Sequence, residues 1–153
     1  MNSSTGARPA TAMRLFGLAA VILGGLVAAV TGPLDLAKGS WLAAYLVLVV
    51  GVAQSAMASA RRHWQRASLP SWHGWAQLAC WNAGSLAVIA GTLLAAPAAV
   101  YGGSAALVIA LGLAVDASRH AVVSDRERGV LLGYRLLLLL LAVSIPVGTV
   151  LST

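Results

Sequence analysis

The chain has 153 residues, of which 59% are hydrophobic and only 9% charged, with ten Lys or Arg against four Asp or Glu. A soluble domain carries about 25% charged residues, so this composition excludes disorder and most water-soluble globules. It predicts lipid as the solvent and an all-α, polytopic transmembrane bundle as the fold class.

A bilayer core of about 30 Å needs about 20 apolar residues of helix. Charge-free stretches run from Leu15 to Leu34, Gly39 to Ala60, Ala67 to Val115 and Leu136 to Thr153, the third interrupted only by His73. As one helix the third stretch would be about 73 Å long, so it must fold back. Pro97 followed by Tyr101-Gly102-Gly103 is where turn chemistry allows this. Five helices result, near 14–32, 40–61, 73–96, 101–121 and 125–150. Residues 1–13, rich in Ser, Thr, Gly and Ala, read as a flexible cytoplasmic tail, and 14–153 as a single transmembrane domain. An alternative reading makes the first span a cleaved signal peptide and leaves four spans. Arg8 and Arg14 then form its positive region and Val27-Ala28-Ala29 its cleavage site.

With the N-terminus cytoplasmic and the C-terminus outside, Arg8, Arg14, Arg61, Arg62, Arg66, Arg119, Arg126, Arg128 and Arg135 lie on or near the inner side, leaving Lys38 outside. The basic balance is therefore topological, and no nucleic acid is expected as a partner, because these arginines sit in short loops. The excess of Arg over Lys, with Ala and Leu dominant, fits a GC-rich bacterial gene and predicts the bacterial plasma (inner) membrane.

Helix packing in lipid depends on close van der Waals contact. The third span has a small residue at every fourth position, Ala79, Ala83, Ala87, Gly91 and Ala95, and the fourth repeats this with Gly102, Ala106, Ala110, Ala114 and Ser118. Gly51, Ser55 and Ser59 in the second span and Ala20, Gly24 and Ala28 in the first are shorter ridges of the same kind. Such ridges predict a membrane protein partner or self-association. The leucine run Leu136 to Leu141 reads as lipid-facing, with the fifth helix packed through Gly129 and Gly133.

The segment after the second span mixes Arg61, Arg62 and Arg66 with Trp64, Trp72 and Trp75. Tryptophans favour the headgroup level and arginines attract anionic lipid. These six residues form a candidate surface for anionic headgroups of the inner leaflet, or for a partner protein. Ser124-Asp125-Arg126-Glu127 has capping-box spacing at the start of the fifth helix, and Asp35 sits in the outer loop near Lys38.

Two charges remain inside the membrane. Asp116 lies about one turn from the inner end of the fourth helix and Arg135 about two turns into the fifth, so they form a candidate intramembrane pair. Local pairing of Asp116 with Arg119 or His120 and a proton- or ion-handling role are the alternatives. Gln54, Gln77, Asn82 and Tyr134 form a candidate polar cluster in the same inner half.

His63, His73 and His120 lie near the inner interface, where imidazoles on facing helices are candidate haem ligands. Interfacial histidines are the simpler reading, and no cofactor or metal is predicted. The lone cysteine, Cys80, makes no metal-ligand pattern and reads as a packing residue. No Gly-rich phosphate loop, HExxH or GxSxG is present, and catalysis is not expected. The leading expectation is a small, non-catalytic accessory or scaffold subunit of a membrane complex. The alternative is an oligomeric transporter of a small solute or lipid, and the third reading is a haem or quinone membrane anchor.

Overall fold

The computed structural model describes residues 7–64, 71–119, 129, 132–139 and 141, and all regular structure among them is helical. Helix α1 covers Ala7–Thr31. A second rod follows as α2 (Gly39–Tyr45), a π-helical segment (Leu46–Ala53) and α3 (Gln54–Trp64). Helices α4 (Ser71–Leu93) and α5 (Pro97–Arg119) come next, and residues 132–139 are helical again.

Three helical stretches are long and apolar enough to cross a membrane: Arg8–Thr31, Gly39–Arg62 and Pro97–Arg119. Helix α4 has 23 residues, as α5 does, but carries His73, Gln77, Asn82 and Ser85 along its length.

The chain forms two hairpins. Helix α1 packs along the whole second rod, and α4 packs along α5. Both hairpin turns end in the same way. Leu36 N–H bonds the Thr31 carbonyl at 3.0 Å and Ala96 N–H bonds the Gly91 carbonyl at 2.8 Å. In each case the residue between helix and return strand of the turn is left-handed, Asp35 at φ 48° and Ala95 at φ 52°. This is the Schellman closure, with a non-glycine residue at the position glycine usually fills. Lys38 Nζ then donates to the Thr92 carbonyl, so the turn of one hairpin caps the C-terminal carbonyls of the other hairpin's α4.

At the opposite end of the bundle the helices present Arg8, Arg62 and Arg119 as exposed residues. Residues 7–13 of the segment read as a tail are helical. Helix α1 is described from Ala7, and Pro9 is compatible with a first turn because it removes only a donor that lacks a partner there. Pro9, Ala10 and Met13 are buried, and a Cβ on Gly74 would meet Pro9 Cγ at 2.9 Å. Val27-Ala28-Ala29 lies in the body of α1. The second reversal also differs from expectation. It occupies residues 94–96 and Pro97 opens α5, while Tyr101-Gly102-Gly103 is helical.

The core joins both hairpins through Met13, Met57, Leu78, Trp81, Leu107 and Leu111, with Leu138 from the 132–139 segment. Small residues set the close contacts, though not always the expected ones. A Cβ on Gly84 would stand 2.8 Å from the Gly103 carbonyl oxygen, and one on Gly103 would stand 2.6 Å from that of Gly84. The α4 contact therefore runs through Gly84, Val88 and Gly91, whereas Ala79, Ala83 and Ala95 are exposed and Ala87 is half-buried. On α5, Ala110, Ala114 and Ser118 of the expected ridge are buried, Ala106 is half-buried, and Gly103 replaces the exposed Gly102. Between α1 and the second rod, Gly17, Ala20 and Gly24 oppose Ala43, Val47, Gly51 and Ser55, while Ala28 and Ser59 are exposed. Leu136 and Leu139 of the leucine run are exposed, but Leu138 is buried; Gly129 and Gly133 are exposed, with nothing among the described residues within 4 Å of where a Cβ would stand.

Candidate functional site

The two hairpins meet across a seam that carries most of the buried polarity. His73, Gln77, Trp81 and Ser85 recur every fourth residue on α4 and so share one face. Gln54, Met57 and Arg61 approach this face from α3.

Arg61 is the hub of the basic end. Its Nε donates to Gln77 Oε1 at 2.8 Å, and its Nη2 lies 3.2 Å from His73 Nδ1. Arginine has donors only, so His73 Nδ1 must accept and its proton resides on Nε2. That nitrogen lies 3.4 Å from Asp116 Oδ2 on α5. Gln77 Nε2 completes the chain with Met57 Sδ at 3.1 Å. Asp116, His73, Arg61, Gln77 and Met57 thus form one line of contacts across α5, α4 and α3. His73 is 7% exposed on its side chain while Asp116 is 49% exposed, so the line runs from a buried imidazole to an accessible carboxylate. Both ring nitrogens of His73 are engaged, and ligation of a metal through either would first displace Arg61 or Asp116.

Deeper in the same seam some polar groups lack partners among the described residues. Both amide atoms of Gln54 and Trp81 Nε1 are buried with no hydrogen-bond partner among the described residues, while the Tyr45 and Ser85 hydroxyls face one another. Each such group costs about 1–3 kcal/mol relative to a satisfied one. Sequence spacing shows the polar face of α4, but not that Gln77 finds a partner and Gln54, one turn further on, does not.

The two residues expected to pair inside the membrane each make a contact with a described residue elsewhere. Asp116 meets His73, and Arg135 Nη2 donates to the Ser118 carbonyl at 3.2 Å, capping the C-terminal turn of α5. Within the expected polar cluster, Gln77 joins the line and Gln54 shares its seam. Tyr134 is half-buried within electrostatic reach of Arg61, and Asn82 Nδ2 bonds back to the Leu78 carbonyl at 2.9 Å on its own helix. Of the expected headgroup surface, Arg62, Trp72 and Trp75 are exposed and Arg61 is turned inward. Arg66 and the side chains of Trp64 and His63 lie outside the described residues, as do His120 and the capping box at Ser124-Asp125-Arg126-Glu127. Cys80 is half-buried and free. The His73–Asp116 contact joins residues 43 positions apart, and its only signal in the sequence is that both lie at the same end of neighbouring spans.

No protein-family model matches the sequence, and neither does any curated protein or solved structure.

Proposed function

We propose that this chain is a multi-pass protein of the bacterial plasma membrane, N-terminus cytoplasmic, that serves as a non-catalytic accessory or scaffold subunit of a membrane complex. The observation that carries this reading is the outward face of α4. Ala79 and Ala83 are exposed while the α4–α5 contact uses Gly84 and Gly91 instead. A small-residue face left outside the chain's own packing is what a partner helix needs in lipid, where close backbone approach replaces the hydrophobic drive. Exposed Trp72 and Trp75 flank this face at the basic end, where headgroups stand.

The test is purification in mild detergent. The wild type should bring down a partner in fixed stoichiometry, and the double substitution Ala79→Leu/Ala83→Leu should release it while the helical circular dichroism signal is kept. Retention of the partner by that variant would refute the role of the face.

A second reading, an oligomeric carrier of a small polar solute, is favoured by Gln54 and Trp81 in the seam, whose buried polar atoms have no partner among the described residues. Its mark would be a homo-oligomer without a second protein in the same purification.

A further inference from the structure

Between α5 and the 132–139 segment runs an open groove of about 370 Å³. Its walls are Val108, Leu111 and Val115 on one side and Leu138 and Leu139 on the other, with Gly112 between them. Toward the basic end of the bundle the groove is lined by two charges, Asp116 and Arg119. We propose that it holds one acyl chain of a phospholipid, and that Asp116 and Arg119 receive a phosphoethanolamine headgroup.

Three features of the groove fit this occupant. From Val108 to Arg119 the helix rises about 16 Å, roughly half of a ~30 Å hydrocarbon core, which is the depth of one leaflet. The charges therefore stand at headgroup level when the apolar walls lie along a tail. Among the described residues nothing lies within 4 Å of where a Gly112 Cβ would be, so the floor is open along the line a chain would follow.

The third feature is the sign of the charges. Asp116 and Arg119 are three residues apart on one helix face, so a carboxylate and a guanidinium stand side by side. A headgroup carrying a phosphate and a primary ammonium two carbons apart matches both, the phosphate on Arg119 and the ammonium on Asp116. A glycerol headgroup offers no cation to Asp116, and a quaternary ammonium has no N–H to donate. Asp116 also bonds His73, but half of its side chain stays accessible. The reading needs membrane insertion, which the proposed function also assumes, but it does not need a protein partner.

The experiment delipidates the full chain in detergent, adds mixed micelles of phosphatidylethanolamine, phosphatidylglycerol or phosphatidylcholine with identical tails, and counts retained lipid by native mass spectrometry. One phosphatidylethanolamine per chain should be retained, roughly tenfold over phosphatidylcholine, the effect of one charge-assisted hydrogen bond. Gly112→Leu should fill the groove and reduce retention of all three to background, with helical content unchanged. Asp116→Asn should keep the lipid but erase the preference for a primary amine. Equal retention of the three lipids by the wild type would overturn the headgroup assignment. Undiminished retention in Gly112→Leu would overturn the site. Should that variant fold poorly, Gly112→Ala reports on the same space with a single methyl. Loss of lipid with the protein partner still bound would leave the subunit reading standing, and the reverse would remove that reading alone.

Discussion

Along the α4–α5 seam, Gly84 and Gly103 bring carbonyl oxygens of one helix against the backbone of the other. Across the hairpin–hairpin seam, Met57, Gln54, Gln77 and Trp81 hold the helices apart and fill the space with side chains. Around Gly84 and Gly103 the first seam is apolar, and its polar contact, His73–Asp116, sits at the basic end. The second buries several polar groups, satisfies those near Arg61 and leaves Gln54 and Trp81 Nε1 without partners among the described residues. Close backbone contact gives stability without specificity for any ligand, whereas a seam of large side chains has room for polar groups and for rearrangement. The place where this fold can change is therefore between its hairpins and not within them.

Substitutions can separate the two seams. The largest effect is expected from Gly103→Leu, which drives a side chain into the Gly84 carbonyl and should cost about 3 kcal/mol or more. Thermal unfolding in detergent would show it as a large fall in Tm or a loss of folded protein. A Tm within a few degrees of the wild type would mean that the α4–α5 contact is not backbone-limited.

The hairpin seam should respond in opposite directions at two glutamines. Gln77→Leu leaves the Arg61 Nε–H without its acceptor and should lower stability by about 1–3 kcal/mol. Gln54→Leu removes an amide with no partner among the described residues and should raise stability by about 1 kcal/mol. If both variants were destabilised equally, Gln54 would have a partner in the membrane and the contrast within the seam would disappear.

The smallest effect belongs to the turns, which the two hairpins share. Ala95→Gly removes the Cβ clash of a left-handed residue and should stabilise by about 0.5–1 kcal/mol after the greater freedom of glycine in the unfolded chain is counted. The same denaturation assay reads it, and a lowered midpoint would show that the Schellman closure at Ala95 is unstrained.

Much of the architecture was legible in the amino-acid order. The helices begin and end within a few residues of the expected limits at Thr31, Gly39, Ser71 and Leu93, because charge-free length is a direct consequence of bilayer thickness. The contacts between helices were less legible. In a chain this rich in alanine, a four-residue spacing of small residues marks several faces at once. Only glycine, at Gly84 and Gly103, allows the backbone contact that selects one face. The polar line was legible as ingredients. Gln77, His73 and Asp116 were each placed near the inner end, but which groups meet depends on helix rotation, and hydropathy carries no rotation.

The π-helical segment Leu46–Ala53 is where that rotation is set. Pairing each N–H with the carbonyl five residues back fits an extra residue into the turn. An α-helix turns about 100° per residue, so removing a single residue between Leu46 and Ala53 would swing Gln54, Met57 and Arg61 about a quarter of the way around the rod. Arg61 would then face away from His73 and Gln77 while every helix kept its length and its apolar character. The alignment of the polar line is thus held by the count of residues in this π-helical segment, which makes it an angular setting that a one-codon insertion or deletion can change without touching any residue of the line itself.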